Sequence, residues 1–158
     1  DSIRKRINEC TAGPQTLLGV EQALADKRQD PLLLDKRVLV ADDEPRIRDT
    51  INSVLKSKGC IVTVCESGAK AIQTLEAEES EGFDLIVSDI RMPDRNGYEV
   101  FAAARRLTPR AKVILMTGFG YDPHHSIVRA SQEGLQSVLF KPFQVERLLD
   151  DVRAALSK

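Results

Sequence analysis

The chain has 158 residues, a formal net charge of −1 at pH 7, and a composition that is 42% hydrophobic and 30% charged. This length is enough for one domain with a hydrophobic core, and the near-neutral charge gives no indication of nucleic-acid binding. No apolar run reaches the roughly 20 residues of a membrane-spanning helix, and no secretory signal is visible. Three cysteines, an odd number, indicate reduced thiols. We therefore expect a cytoplasmic protein whose segment here makes no membrane contact.

Residues 1–35 contain two short helical stripes of apolar residues, one before Gly13-Pro14 and one before Asp30-Pro31. The simpler interpretation is an interdomain linker that packs weakly or frays. The alternative is the tail of an upstream domain, with a helix that dimerises or docks on the rest of the chain.

From residue 36 to residue 158, short apolar runs alternate with segments of helical spacing. The predicted strands are residues 37–41, 60–65, 83–89, 112–117 and 137–140. The helical segments carry four apolar stripes, which we interpret as core-facing: Ile47, Ile51, Val54 and Leu55; Ala71, Ile72 and Leu75; Val100, Phe101, Ala104 and Leu107; and Val145, Leu148, Leu149, Val152 and Leu156. Strands that alternate with helices through short connections predict an α/β fold with a five-stranded, doubly wound parallel sheet. We expect a helical extension at its N-terminus.

Two adjacent carboxylates, Asp42 and Asp43, follow the first predicted strand. One of them has a simple structural explanation, because Asp43 could cap the next helix with Pro45 in its first turn. That explanation leaves the second carboxylate without a role. Two adjacent carboxylates at a buried strand repel each other unless a cation is present, so the pair indicates a cation site.

A third carboxylate, Asp89, ends the predicted strand 83–89. Pro93 and then Asn96-Gly97 force a loop soon afterwards. A lone Asp at a strand end is more often a turn former. Open α/β sheets, however, place their binding chemistry at the carboxyl ends of the strands, and Asp89 lies at such an end, as Asp42 and Asp43 do.

Two more polar residues end predicted strands. Thr117 ends strand 112–117 before Gly118, and Lys141 follows strand 137–140 and precedes Pro142. Either could be an ordinary solvated residue. The stem of Lys141 would lie along the sheet, and its ammonium would emerge at the edge where the carboxylates lie.

Taken together, these motifs carry a family resemblance that runs from about Lys36 to Lys158. They are Asp42-Asp43, Asp89 followed by Met92-Pro93, Asn96-Gly97, Thr117-Gly118 and Lys141-Pro142-Phe143. In this order and near this spacing they resemble the CheY-like response-regulator receiver domain of two-component signalling, which has a flavodoxin-like fold.

The resemblance implies that Asp89 accepts a phosphoryl group from a phosphohistidine donor, either a histidine kinase or a histidine phosphotransfer protein. It implies Mg2+ as cofactor, with Asp43 and Asp89 as direct ligands, Asp42 close by or acting through water, and the backbone carbonyl of Arg91 as a further ligand. Lys141 and the Thr117 hydroxyl would bind phosphoryl oxygens. The domain would be regulatory, with no enzymatic activity beyond its own phosphorylation and dephosphorylation. The family also predicts a cis peptide bond between Lys141 and Pro142.

The chain departs from the family pattern at Val138, where many receivers carry the aromatic residue of a switch. We do not expect Phe140, on the same face by strand alternation, to replace it. Residues 118–125 make the interval from Thr117 to Lys141 about two residues longer than the family suggests. The two histidines in that loop, His124 and His125, are interpreted as solvated loop residues.

Arg91 and Phe119 hold positions that tune phosphoryl lifetime in this family. Their bulk predicts that attacking water is restricted and that the phosphorylated form is long-lived.

Two rival functions remain. One is a receiver-like binding module that works without phosphorylation. The other is a phosphatase of the haloacid dehalogenase type, which would need an Asp where this chain has Arg91. The chain begins with Asp1 and no output domain follows its last predicted helix, so we expect the C-terminal receiver of a hybrid sensor protein.

Overall fold

The computed structural model of the protein describes residues 19–25, 30–77, 82–118 and 134–157. Its helices are α1 (Val20–Ala25), α2 (Pro45–Ser57), α3 (Gly68–Ala77), α4 (Gly97–Leu107) and α5 (Val145–Leu156). Its strands are β1 (Arg37–Ala41), β2 (Ile61–Cys65), β3 (Leu85–Asp89), β4 (Lys112–Thr117) and β5 (Leu135–Phe140). The strands form one sheet in the order β2-β1-β3-β4-β5, and every pairing is parallel. The predicted fold class is therefore confirmed.

Helices cover both faces of this sheet, which explains why the central strands are apolar throughout. Alternate residues of β1, β3 and β4 pack on one side with α2 and α5, and on the other side with α3 and α4. Every residue of β3 is buried. A strand buried on both faces reads as a continuous apolar run in the sequence, as residues 85–87 do.

The predicted element boundaries differ from the structure at a few positions. Strands β2 and β3 begin at Ile61 and Leu85, one and two residues later than predicted, and β5 begins two residues earlier, at Leu135. The prediction that Leu107 lines the core is wrong, because its exposed fraction is 37%. Leu107 is the last residue of α4, where Thr108 ends the helix.

The described part of the N-terminal segment packs on α2 and α5. Leu33 is fully buried, and Ala23 on α1 is 2% exposed. The Asp30 carboxylate pairs with Arg153 of α5, and the Asp35 N–H donates to the carbonyl of Gly59 at 2.8 Å. Residues 30–35 therefore contribute side chains and hydrogen bonds to the same core as the sheet. Among the described residues, no helix has the length and apolar character to cross a membrane.

Candidate functional site

Three carboxylates meet at the carboxyl edge of the sheet, between β1 and β3. The connection that leaves β1 leads to α2 on one face and that from β3 leads to α4 on the other, so a crevice opens between the two strand ends. Carboxylate oxygens of Asp42, Asp43 and Asp89 all lie within 4.8 Å of one another. Asp42 is fully buried, Asp89 is 7% exposed, and Asp43 is open to solvent. The structure thus brings together all three carboxylates that the sequence singled out.

Lys141 places its ammonium among these carboxylates. Its Nζ lies 2.9 Å from Oδ2 of Asp42 and 3.2 Å from Oδ2 of Asp89. The Lys141 N–H also donates to the carbonyl of Thr117 at 2.8 Å, which ties the chain after β5 to the end of β4. The peptide bond from Lys141 to Pro142 is cis, as predicted. Both carboxylate contacts are charge-assisted hydrogen bonds in a largely buried setting.

The conformation of Asp42 is fixed by the start of α2. Its Oδ1 accepts the N–H of Glu44 at 2.8 Å, and its main-chain carbonyl accepts Nη1 of Arg48 at 3.1 Å. The suggestion that Asp43 caps this helix is wrong, because Glu44 occupies the N-cap position and no side chain caps there. The Asp43 carboxylate is not used as that cap.

Hydrogen bonds from neighbouring residues on both sides in the sequence fix the conformation of Asp89. Its Oδ1 accepts the N–H of Arg91 at 3.3 Å, and its carbonyl accepts the hydroxyl of Ser88 at 3.0 Å. The backbone of Gly97 packs directly against it, since a Cβ there would lie 2.6 Å from the Asp89 carbonyl oxygen. Glycine at position 97 is therefore a condition for this arrangement.

Burial and the ammonium act in opposite directions on the acid groups. Burial raises the pKa of Asp42 to about 6, although Lys141 lowers it. Burial also raises the pKa of Asp89, again against the effect of Lys141. For Lys141, burial alone would lower the pKa, but the two carboxylates outweigh it and the pKa is raised. The buried carboxylates therefore depend on a nearby positive charge.

Thr117 and Val138 lie close to this edge in the strand register. Thr117 is fully buried at the last position of β4, where it pairs with Phe140 of β5. Val138 is half-buried, pairs with Leu115, and packs on the α3 and α4 side of the core. Phe140 is 58% exposed. These contacts leave the roles predicted for Thr117 and Val138 as predictions.

Some predicted site residues are described only in part. Arg91 is exposed beside Asp89, and its backbone carbonyl remains a predicted ligand. Gly118 is exposed, and no atom of the part of the chain that the structure describes lies within 4 Å of where its Cβ would be. Phe119 and the histidines His124 and His125 lie outside the described residues.

Two residues that support the site could not be predicted from the sequence. Arg48 contacts the Asp42 carbonyl, and no pattern in the sequence marks it. Asp94 accepts N–H groups at the start of α3, 25 and 26 residues earlier in the chain. An Asp directly after Pro93 is a typical turn residue, so only its partners in space reveal its second role.

The carboxylate cluster fits a magnesium ion in its donor chemistry. Asp42, Asp43 and Asp89 supply hard oxygen ligands, which Mg2+ prefers together with several waters. Asp43 is exposed, so water has access to this side of the cluster. The two buried carboxylates already share one cation, the Lys141 ammonium.

Comparison with known proteins agrees with this fold. A family model described as "Response regulator receiver domain" matches residues 38–153. This chain belongs to the family of response-regulator receiver domains of two-component systems. These domains are regulatory, and they generally bind Mg2+ at an acidic pocket.

Individual relatives support the same assignment. The transcriptional regulatory protein GlrR of Escherichia coli K12 is 33% identical over 121 residues, which are 77% of this chain but 26% of that protein. The match thus spans about a quarter of this longer relative. A CheY-like receiver domain protein from Methanospirillum hungatei JF-1 has a TM-score of 0.69 and 27% identity, covering 78% of this chain and 94% of that one.

The response regulator TrrA of Thermotoga maritima was crystallised in complex with Mg(2+)-BeF. Its TM-score is 0.61 at 30% identity, over 76% of this chain and 98% of that one.

Proposed function

We propose that this receiver domain takes a phosphoryl group onto Asp89 from a phosphohistidine donor, with Mg2+ bound by Asp42, Asp43, Asp89 and the Arg91 carbonyl. The observation that carries the proposal is the Lys141 ammonium, which contacts Asp42 and Asp89 together at the carboxyl edge of the sheet. In this arrangement the Asp89 carboxylate can act as the nucleophile, and the neighbouring Lys141 ammonium can bind the incoming phosphoryl oxygens.

In the proposed reaction a carboxylate oxygen of Asp89 attacks the phosphorus atom. An acyl phosphate forms as the P–N bond of the donor breaks, and the released imidazole nitrogen takes up a proton. Lys141 exchanges part of its contact with the carboxylates for a phosphoryl oxygen, and the Thr117 hydroxyl donates a hydrogen bond to another. Transfer of this kind is catalysed mainly by positioning and electrostatics. Bound magnesium supplies positive charge near the phosphoryl oxygens.

One of the similar proteins supports the proposed cofactor. TrrA binds Mg(2+)-BeF with the same fold, and a carboxylate cluster lies at this edge in the present protein. We propose a histidine kinase or a histidine phosphotransfer protein as donor. A sensor domain upstream in the same chain remains a prediction, as do a cytoplasmic location and the lack of nucleic-acid partners. GlrR, by contrast, is a transcriptional regulator.

The domain limits are proposed as well. We assign residues 36–158 to the receiver domain and residues 1–35 to a linker or the tail of an upstream domain. The described residues 30–35, which this division places before the receiver domain, pack on the receiver core.

A second candidate function is a receiver-like binding module that works without phosphorylation. Val138 favours it, because an aliphatic residue at that position cannot make the aromatic rotamer change of the family switch. Family membership favours either of these receiver functions over a haloacid dehalogenase-type phosphatase.

Intact-protein mass spectrometry separates the two receiver functions. The protein is incubated with acetyl phosphate, and separately with phosphoramidate, whose P–N bond matches that of phosphohistidine, each with and without Mg2+. We expect the mass of one phosphoryl group to be added only with Mg2+. Asp89→Asn should abolish the addition. Asp49→Asn, which changes an exposed carboxylate of α2, should leave it unchanged. No addition to the folded wild-type protein would favour the binding module.

A further inference from the structure

The loop between β3 and α4, residues 90–96, is held at its α4 end by three hydrogen bonds. The N–H of Gly97 donates to the carbonyl of Ile90 at 2.9 Å. Oδ1 of Asn96 accepts the N–H of Glu99 at 3.0 Å, and the Asn96 N–H donates to Oε1 of Glu99 at 3.2 Å. This reciprocal pair is a capping box. The end of the loop nearest α4 therefore has a fixed conformation.

At this same end the loop also lies against the start of α3. A Cβ at Gly68 would lie 2.1 Å from the carbonyl oxygen of Arg95 and 2.7 Å from its Cβ. The helix therefore begins with its backbone in direct contact with the backbone of the loop. Only glycine permits this approach without a shift of one segment.

The carboxylate of Asp94 joins the two segments. Its Oδ1 accepts the N–H of Gly68 at 3.2 Å and of Arg95 at 2.7 Å, and its Oδ2 accepts the N–H of Ala69 at 3.1 Å. The first N–H groups of a helix have no acceptor within the helix, and a negative charge there is favourable. Asp94 thus completes the cap of a helix that lies far from it in the sequence.

We infer that Asp94 is a positioning residue for the magnesium ligands of the loop. It lies three residues after Arg91, whose N–H donates to Oδ1 of Asp89 at 3.3 Å. The loop is anchored at Ile90 by Gly97 and at Asp94 by α3, so the backbone from residue 91 to residue 93 is restrained from both ends. In this proposal Asp94 acts through the loop backbone and is not itself a ligand. This inference rests on the proposed function, in which Asp89 and the Arg91 carbonyl hold magnesium.

The test uses magnesium alone as the probe, titrated calorimetrically into the metal-free full chain. Asp94→Ala should weaken Mg2+ affinity by roughly tenfold, the scale on which groups that orient metal ligands act. Asp94→Asn removes the charge but keeps an acceptor oxygen for Gly68, so its loss of affinity should be clearly smaller. Glu76→Ala removes an exposed carboxylate from the last turn of the same helix and should leave the affinity unchanged.

Two further measurements separate positioning from general stability. Hydrogen exchange of the Gly68 and Ala69 amides should be faster in Asp94→Ala than in the wild type. At saturating Mg2+ the rate of phosphorylation by acetyl phosphate should stay within about twofold of the wild type, because the ion restores the ligand geometry that the variant loosens.

The outcomes distinguish this inference from the function on which it rests. Wild-type Mg2+ affinity in Asp94→Asn and Asp94→Ala, or an equal loss in Glu76→Ala, would overturn the positioning role. If the wild-type protein is still phosphorylated when the Asp94 variants bind Mg2+ normally, only the positioning role is overturned and the proposed function stands. Magnesium binding that depends on Asp94, in a protein that is never phosphorylated, would support the positioning role and contradict the phosphoacceptor function. A wild-type protein that binds no magnesium would overturn both.

Discussion

The ammonium of Lys141 lies 2.9 Å from the carboxylate of Asp42, although 99 residues separate them in the chain. The same ammonium also contacts Asp89 at 3.2 Å, so one cation is shared by two buried acids. Removing one member of a buried, charged group leaves the others without compensation. The site should therefore respond strongly to changes at Lys141.

Lys141→Met should slow phosphorylation by acetyl phosphate about 100-fold, because a fixed cation no longer faces the phosphoryl oxygens. The matched control is Lys112→Met, since Lys112 begins β4 at the opposite edge of the sheet, and it should keep the wild-type rate. Rates are measured by intact mass at saturating Mg2+ on protein shown to be folded by circular dichroism. Equal rates in the two variants would remove Lys141 from the proposed mechanism.

Gly97→Ala should lower the free energy of unfolding by about 1–3 kcal/mol, the usual cost of forcing an atom into a packed site. The added Cβ would lie 2.6 Å from the carbonyl oxygen of Asp89 and 2.8 Å from Cα of Ile90. Urea denaturation of the metal-free protein measures the change.

Gly118→Ala is the control for Gly97, because a Cβ there meets no atom of the described residues within 4 Å. Its unfolding free energy should stay within about 0.5 kcal/mol of the wild type. A similar stability of both variants would show that the contact at Gly97 is not restrictive.

Leu33→Ala should destabilise the protein by about 2–4 kcal/mol, since it empties a fully buried position. A shortened chain that begins at Lys36 should lose at least as much. Leu32→Ala is the matched control, because its neighbour Leu32 is 41% exposed. Urea midpoints of the three proteins decide the point, and an unchanged midpoint for Leu33→Ala would mean that the N-terminal segment contributes nothing to the core.

The Asp30–Arg153 pair should give a stability contribution that disappears in acid. The hydrogen bond from Arg153 holds the pKa of Asp30 below its ordinary value of 3.8. A carboxyl whose pKa is depressed in the folded state stabilises the fold above its unfolded pKa, and this contribution is lost as pH falls through the folded pKa.

Asp30→Asn should therefore lower the unfolding free energy by up to about 1 kcal/mol at pH 6, since the pair is partly exposed. The difference from the wild type should shrink as pH falls below about 4. Urea titrations at a series of pH values test this. A difference that does not vary with pH would assign the effect to something other than the charge of Asp30.

Cys60 and Cys65 should resist alkylation in the folded protein. Both thiols are buried, and burial raises the pKa of Cys60 to about 12. Since the thiolate is the reactive form, iodoacetamide at pH 8 should label them only after unfolding in urea. Peptide mapping locates the label, and rapid labelling of either residue in the native protein would contradict its buried position.

Much of this site could be predicted from the order of the elements alone. Parallel strands joined by helices bring their carboxyl ends to one edge of a sheet, so polar residues that end apolar runs converge there. Asp42, Asp89, Thr117 and Lys141 each end such a run. The alternation of strands and helices likewise predicts the sheet, because each element must bury one face or both.

The order and periodicity of the elements do not predict the contacts that fix the geometry of the site. Arg48 binds a carbonyl, which leaves no mark on residue type, and Asp94 caps a helix from another part of the chain. In the sequence Leu33 cannot be told from a leucine of a linker, whereas in the structure it is buried in the core with residues of α2 and α5. The partners of Asp94 and Leu33 are remote in sequence, and no periodicity reports on any of the three contacts.

The sequence by itself determined which residues reach the carboxyl edge of the sheet, because hydrophobic periodicity and strand-ending residues are local properties of the chain. Only the tertiary structure decided the environment of these residues. It buries Asp42 and exposes Asp43, places one ammonium between two acids, and anchors the loop after β3 to a neighbouring helix. The reason is physical. Burial, charge compensation and close backbone approach arise between segments far apart in the chain, and their balance is set only when those segments pack together.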